Sequence, residues 1–166
     1  MSKIDFVHLH THTAYSLQDG VGKVKEYIDR VIENGQKAIA ITEHGNLYSH
    51  IEAYNDASKK GVKHIIGCEL YICSDRTNKT KKDGNDTYHL TVLAKNNVGY
   101  KNLLKLVSIA NQEGFYYKPR VDKKLLAQYS EGLIILSGCL AGEVSRMLMA
   151  NRIDESEEVI KYYKGS

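Results

Sequence analysis

Short apolar runs alternate with helix-patterned stretches along nearly the whole chain, and that alternation limits the folds open to it. Strand-like runs occupy residues 5–12, 38–42, 63–72, 88–94 and 133–137. Between the first two, Val24, Tyr27, Ile28, Val31 and Ile32 recur at spacings of three and four, the stripe of an amphipathic helix, and Asn34-Gly35 ends it. Further helices are predicted over 49–60, 100–111, 123–129, 142–150 and 154–163. Residues 73–87, rich in Ser, Asp, Asn, Lys and Thr, read as an exposed loop, and residues 114–120 as an aromatic, basic connector. Strand and helix in turn argue a parallel sheet or barrel of βα units, and strands apolar throughout fit burial on both faces. The expected class is α/β.

The 166 residues fit one domain. A net charge of +3 is too mild to argue nucleic-acid binding by itself, and the basic run Lys79-Thr80-Lys81-Lys82 reads as part of a solvated loop. No apolar run reaches the length of a membrane span and nothing resembles a signal peptide, so a cytoplasmic protein without a membrane partner is expected. The odd number of cysteines, without zinc-finger spacing, points to free thiols or single metal ligands.

The chemistry gathers at the ends of the strands. His8, His10 and His12 alternate along the opening run, so a strand there places them on one face, with Phe6. Buried imidazoles need partners, and a metal ion suits the neutral ring. His10 and His12 end the first run, Glu43 and His44 follow the second, Glu69 falls late in the third, and Cys139 follows the fifth. In βα barrels that rim is where side chains from different strands converge. His89 starts its strand instead, which suggests that this strand runs in a different sense or register. His10, His12, Asp19, His44, Glu69, His89 and Cys139 are the candidate ligands, a mixed set suited to Zn²⁺ or Mn²⁺ and too large for one tetrahedral ion. Paired ions clamp the attacking and leaving oxygens in phosphoester hydrolysis. His8 reads as a residue that orients the ligands, as does Glu43 beside His44. Cys68 and Cys73 read as buried small apolar residues, and His50 and His64 as structural or exposed.

Six segments carry a resemblance. His8-Leu9-His10-Thr11-His12 through Asp19-Gly20, Ile41-Thr42-Glu43-His44-Gly45-Asn46, Ile66-Gly67-Cys68-Glu69-Leu70, Tyr88-His89-Leu90, Gly114-Phe115-Tyr116-Tyr117-Lys118-Pro119-Arg120 and Ser137-Gly138-Cys139-Leu140-Ala141-Gly142 resemble the PHP (polymerase and histidinol phosphatase) domain of bacterial DNA polymerase III α subunits. The resemblance implies a distorted (β/α)7 barrel, incomplete here with about five βα units, and a rim cluster of two or three divalent ions on the seven candidate ligands. It implies one PHP domain over residues 1–166. The family's later Asp-x-His is expected to be missing, because no histidine follows His89, and Glu43 stands where the family more often has Asp. The chain is therefore expected to be a shortened domain with fewer ions, weak activity and an open barrel edge that invites self-association. The implied activity is metal-dependent phosphoester hydrolysis of the 3′–5′ exonuclease type on DNA, with Lys118 or Arg120 on phosphate. An alternative is a structural domain that stabilises the polymerase chain and docks a separate proofreading exonuclease. A histidinol-phosphatase-like activity is the third, against which the connector 114–122 speaks.

Overall fold

The computed structural model describes residues 6–80 and 87–165; Asp5 of the opening run and Lys81 and Lys82 of the basic run lie outside the described residues. In chain order the elements are α1 (Val24–Glu33), β1 (Ala38–Ile41), α2 (His50–Lys59), β2 (Lys63–Cys73), β3 (Tyr88–Ala94), α3 (Asn97–Gln112), β4 (Arg120–Asp122), α4 (Lys123–Gln128), β5 (Leu133–Leu136), α5 (Glu143–Met149) and α6 (Ile153–Gly165). Local chemistry sets several boundaries. The Glu26 carboxylate takes the Lys23 N–H at the start of α1. Asn96 and Asp122 cap α3 and α4 by accepting from Gly99 N and Leu125 N.

The five strands form one mixed sheet in the order β1-β2-β3-β5, with β4 on β2. The eleven-residue β2 is its spine. Its first half pairs β1 in parallel (Ala38↔Lys63 to Ile41↔Ile66) and its end pairs β4 in parallel (Tyr71↔Arg120 to Cys73↔Asp122). On the other side β3 runs antiparallel, from Gly67↔Leu93 to Ile72↔Tyr88, and β5 is antiparallel to β3. The purely parallel expectation is corrected here. No helix lies between β2 and β3 among the described residues, and a return without a crossover leaves strands antiparallel. The reversed sense suggested by His89 is the one observed.

The opening run is also corrected. Among the described residues it makes a single bridge, His8↔Ile39, and no ladder. Ala40 N donates to His8 O and Thr42 N to Thr11 O, both at 2.8 Å, so the segment lies along β1. The Thr42 hydroxyl then takes Thr11 N at 2.9 Å in place of a backbone partner, and the chain turns away. The fifth strand comes instead from β4, inside what the sequence read as connector.

Two cores flank the sheet. Leu70, Ile72, Leu90 and Val92 pack with Leu103, Leu106, Ala110, Val121, Leu125 and Leu126. Ile39 and Ile41 pack with Val24, Ile28, Val31, Ala53, Ala57 and Val62. Each fully buried aliphatic side chain contributes about 1.5–3 kcal/mol by leaving water. Cys68 and Cys73 are buried as expected, and burial pushes the Cys73 thiol up to about 11.

Candidate metal centre

Glu69 is the hub. It points from the middle of β2, almost wholly buried, into the space that the turning segments enclose. Its Oε2 lies 2.8 Å from Nε2 of His10 and of His12, and 3.4 Å from Nδ1 of His44. Its Oε1 lies 2.5 Å from Nδ1 of His89 and 3.9 Å from Sγ of Cys139. Asp19 closes the outer side, with Oδ2 at 2.7 Å from His44 Nε2 and 3.9 Å from His12 Nε2. Cys139 Sγ is 3.8 Å from His89 Nδ1. All seven candidate ligands therefore come together.

Each candidate ligand owes its place to a local feature. His89 is opposite Tyr71 on β3 and Glu69 is opposite Thr91, so the two are diagonal neighbours on one face of the ladder. Had β3 run parallel to β2, its first residues would sit at the other end of the sheet. His44 follows β1 and bridges to Glu69 just before Gly45, whose φ of +61° turns the chain. Gly138, at φ +83°, lies so close to the His89 carbonyl that a Cβ there would come within 2.7 Å of it, which presses the Cys139 turn onto β3. The Cys139 sulfur also accepts from Ala141 N at 3.3 Å.

The ordering hydrogen bonds join Glu43, which the sequence did suggest, to Thr13 and Ser16, which it did not. Glu43 is fully buried and accepts from Thr13 Oγ1 (2.5 Å), Thr13 N (3.2 Å) and the Ser16 hydroxyl. Ser16 Oγ lies 2.9 Å from His12 Nδ1 and accepts from His44 N at 3.1 Å. One hydroxyl thus ties Glu43 to two ligand-bearing residues. The only sequence signal for it was Ser16 itself, in a turn-like stretch between His12 and Asp19. His8 takes no such role: its ring meets Phe6 edge-on at 5.0 Å and makes no side-chain hydrogen bond among the described residues. It lines a groove of about 400 Å³ that also touches His10, His12 and Asp19.

Charge follows this layout. Burial works against the Glu69 carboxylate, yet hydrogen bonds from His10, His12 and His89 hold it far below the ordinary range. Burial also opposes charge on His12, but Glu69 outweighs it and the net shift is upward. For His44 burial wins over the Asp19 hydrogen bond and the shift is downward. The His44 hydrogen bond lowers Asp19 in turn. Burial and the Glu69 charge push the Tyr71 phenol, stacked on His44, up to about 12.

The donors fit a divalent cation. Ligand atoms within 4.8 Å of one another form three overlapping groups, His10–His12–Glu69, His12–Asp19–His44 and His44–Glu69–His89. His44 Nδ1 is buried without a hydrogen-bond partner among the described residues, an unmet need that a cation answers. Imidazole, carboxylate and one thiol make a borderline-hard set.

The two expected phosphate contacts part company. Lys118 is exposed, with its ammonium 4.6 Å above the Tyr71 ring beside the cluster. Arg120 is fully buried and donates to the carbonyls of Gly114 (3.0 Å) and Arg76 (2.9 Å), so its guanidinium is a bolt inside the fold and cannot meet a substrate phosphate.

The PHP domain family's sequence profile matches residues 8–165, and the chain belongs to that family. It is 47% identical over 161 residues, 96% of its length, to DNA polymerase III subunit alpha of Borreliella burgdorferi, and 46% identical over 168 residues, 99% of its length, to that of Treponema pallidum. The chain spans only 14% of each of these relatives. An amidohydrolase structure from Chromobacterium violaceum superposes with a TM-score of 0.46 at 24% identity, covering 63% of this chain and 33% of the other.

Proposed function

We propose that this PHP domain belongs to a DNA polymerase III α-type chain and that its rim holds divalent ions, Zn²⁺ or Mn²⁺, for phosphodiester hydrolysis of the 3′–5′ exonuclease type. The observation that carries the reading is Glu69. A buried carboxylate with four imidazoles and a thiol gathered round its two oxygens is a costly arrangement that metal binding repays. Divalent ions bound there supply Lewis-acid stabilisation of phosphoryl charge and a water acidic enough to act near neutral pH. His10, His12 and His44 would hold one side of the cluster with Asp19, and His89 and Cys139 the other. Ser16 keeps His12 and the His44 backbone in place, Tyr71 covers the inner wall as a neutral ring, and Lys118 stands where a phosphate neighbouring the scissile one can reach it. Soluble replication machinery in the cytoplasm is the setting this implies.

The test combines metal content with nucleotide release. Zn or Mn per chain is measured after dialysis, and 3′-nucleotide release from single-stranded DNA is compared with a His12→Ala variant. Retained metal with release above that control supports the reading; a chain that keeps no ion and releases nothing above it removes the reading.

A second reading has an observation of its own. Leu9, Ile65, Leu93, Ile134 and Leu136 line an open groove of about 510 Å³ between the opening segment and β5, and β5 pairs on one side only among the described residues. Such a surface suits a structural domain that braces the rest of the polymerase, associates with another copy, or docks a proofreading exonuclease. Crosslinking from Ile134→Cys that captures neither a polymerase segment, a second copy nor the exonuclease would remove it.

A further inference from the structure

The connector between α3 and β4 is built onto the rim. Pro119 packs so tightly on Gly45 that a Cβ there would come within 2.6 Å of its Cγ. The Tyr71 ring beneath Lys118 stacks on His44, with centroids 5.8 Å apart, and meets His89 edge-on at 5.2 Å. The Lys118 ammonium is therefore one ring away from two imidazoles of the cluster, and no carboxylate pairs with it among the described residues.

The connector is also stiff. Buried Arg120 grips the Gly114 carbonyl, and Tyr116 N donates to Lys118 O at 3.1 Å. The Arg120 guanidinium faces the Tyr116 ring at 5.4 Å, and Tyr116 in turn braces Tyr117 at 4.6 Å. Tyr117 sits at φ +59°, a left-handed conformation that residues with a Cβ avoid, and yet its side chain is 65% exposed. Strain that holds an aromatic ring out in water serves no packing purpose visible here, and strain of this kind gathers at ligand sites. A flat apolar face next to an uncommitted cation fits a ligand that presents a planar ring and an anion in succession. A nucleotide unit does so; a small phosphate ester would engage Lys118 and leave Tyr117 idle.

We propose that Tyr117 and Lys118 form a binding step for single-stranded DNA at the edge of the metal centre, Tyr117 stacking one base and Lys118 holding an adjacent phosphate. The step rests on the phosphodiester reading above and gives that site its substrate class, a polymer with bases. Stacking on an aromatic ring tolerates any base, which suits a site that must act on every sequence.

Fluorescence anisotropy in metal-free buffer tests it, with a labelled single-stranded oligodeoxynucleotide and the same backbone carrying abasic sites. Tyr117→Asn keeps a residue tolerant of the left-handed conformation and removes the ring; Tyr117→Phe keeps the ring. Tyr117→Asn is expected to weaken binding of the base-bearing strand about 10-fold and to leave the abasic strand unchanged, with Tyr117→Phe near wild type. Lys118→Gln should weaken both strands and flatten the salt dependence by about one counterion. The step is overturned if wild type binds neither strand, if Tyr117→Asn binds the base-bearing strand as wild type does, or if it weakens both strands alike. Hydrolysis of bis(p-nitrophenyl) phosphate with Mn²⁺ separates this from the parent reading. Loss of that activity with Tyr117-dependent binding intact sinks the phosphoesterase and spares the step, whereas the reverse pattern spares the phosphoesterase alone.

Discussion

The rim histidines and the His50–His64 pair are both held against β2, one group around Glu69 and the other at Gly67. His50 donates from Nε2 to the Gly67 carbonyl (2.8 Å), which leaves its Nδ1 to accept from His64 Nε2 at 3.1 Å. The rings stack 5.1 Å apart, and neither pairs with a carboxylate among the described residues. Burial lowers His50, and it pushes His64 down to about 3. That pair is a neutral hydrogen-bond chain that ends at His64 Nδ1, which is buried without a partner among the described residues. At the rim, by contrast, two carboxylates keep charge available and the nitrogens converge on the two oxygens of Glu69. Clustered imidazoles alone do not make a metal site; the anion among them and the route to solvent do.

Five substitutions set the two regions against each other. Glu69→Gln removes the anion from the rim and should weaken binding of the first ion by at least about 100-fold, measured by competition with a chromophoric chelator. If the variant keeps wild-type affinity, the distinction drawn above collapses. His44→Ala should cost about 10–100-fold in metal affinity, whereas His50→Leu should leave it unchanged and lower folding stability by about 1–3 kcal/mol, because Gly67 O and His64 lose their partner. Chelator titration and urea unfolding on the same two variants decide it.

The fourth substitution concerns pH. Folding keeps His64 neutral down to about pH 3, while the unfolded chain takes up the proton near pH 6.5. Between those values the unfolded state binds more protons, so stability falls as pH drops through the window. His64→Gln, whose amide can still donate to His50, should flatten that slope; an unchanged slope would assign acid loss to other groups. The smallest effect is expected from Cys139→Ser. Its sulfur lies 3.8–3.9 Å from the nearest ligand atoms, so the change should shift relative preference from Zn²⁺ toward Mn²⁺ with little loss of total metal, read by elemental analysis after mixed loading.

Much of this was legible from residue order. Apolar runs and helical stripes marked β1, β2, β3, β5 and every helix to within a few residues, because each buries a periodic face. The candidate ligands stood at strand ends, where backbone direction alone brings side chains together. Three things were hidden. The opening run looks like a strand by alternation, yet the Thr42 side chain and the bend at Leu9 and His10 limit it to one bridge. β4 is only three residues long and follows aromatic residues that carry no alternation. Ser16 and Arg120 depend on partners 27 and 44 residues distant, Glu43 and Arg76, and no local pattern reports such contacts.

The antiparallel ladder of β2 and β3 has a further consequence for the order in which the molecule assembles. These two strands are neighbours in sequence, so their pairing closes a short loop and needs none of the long-range crossovers that slow parallel sheets. Glu69 and His89 already share a face of that hairpin. A kernel of the rim would thus be laid down by a local folding event, and His10, His12 and His44, carried by segments that precede β2 in the chain, would dock onto a carboxylate already in place. A folding intermediate rich in this hairpin would be the first species on the pathway able to capture a cation.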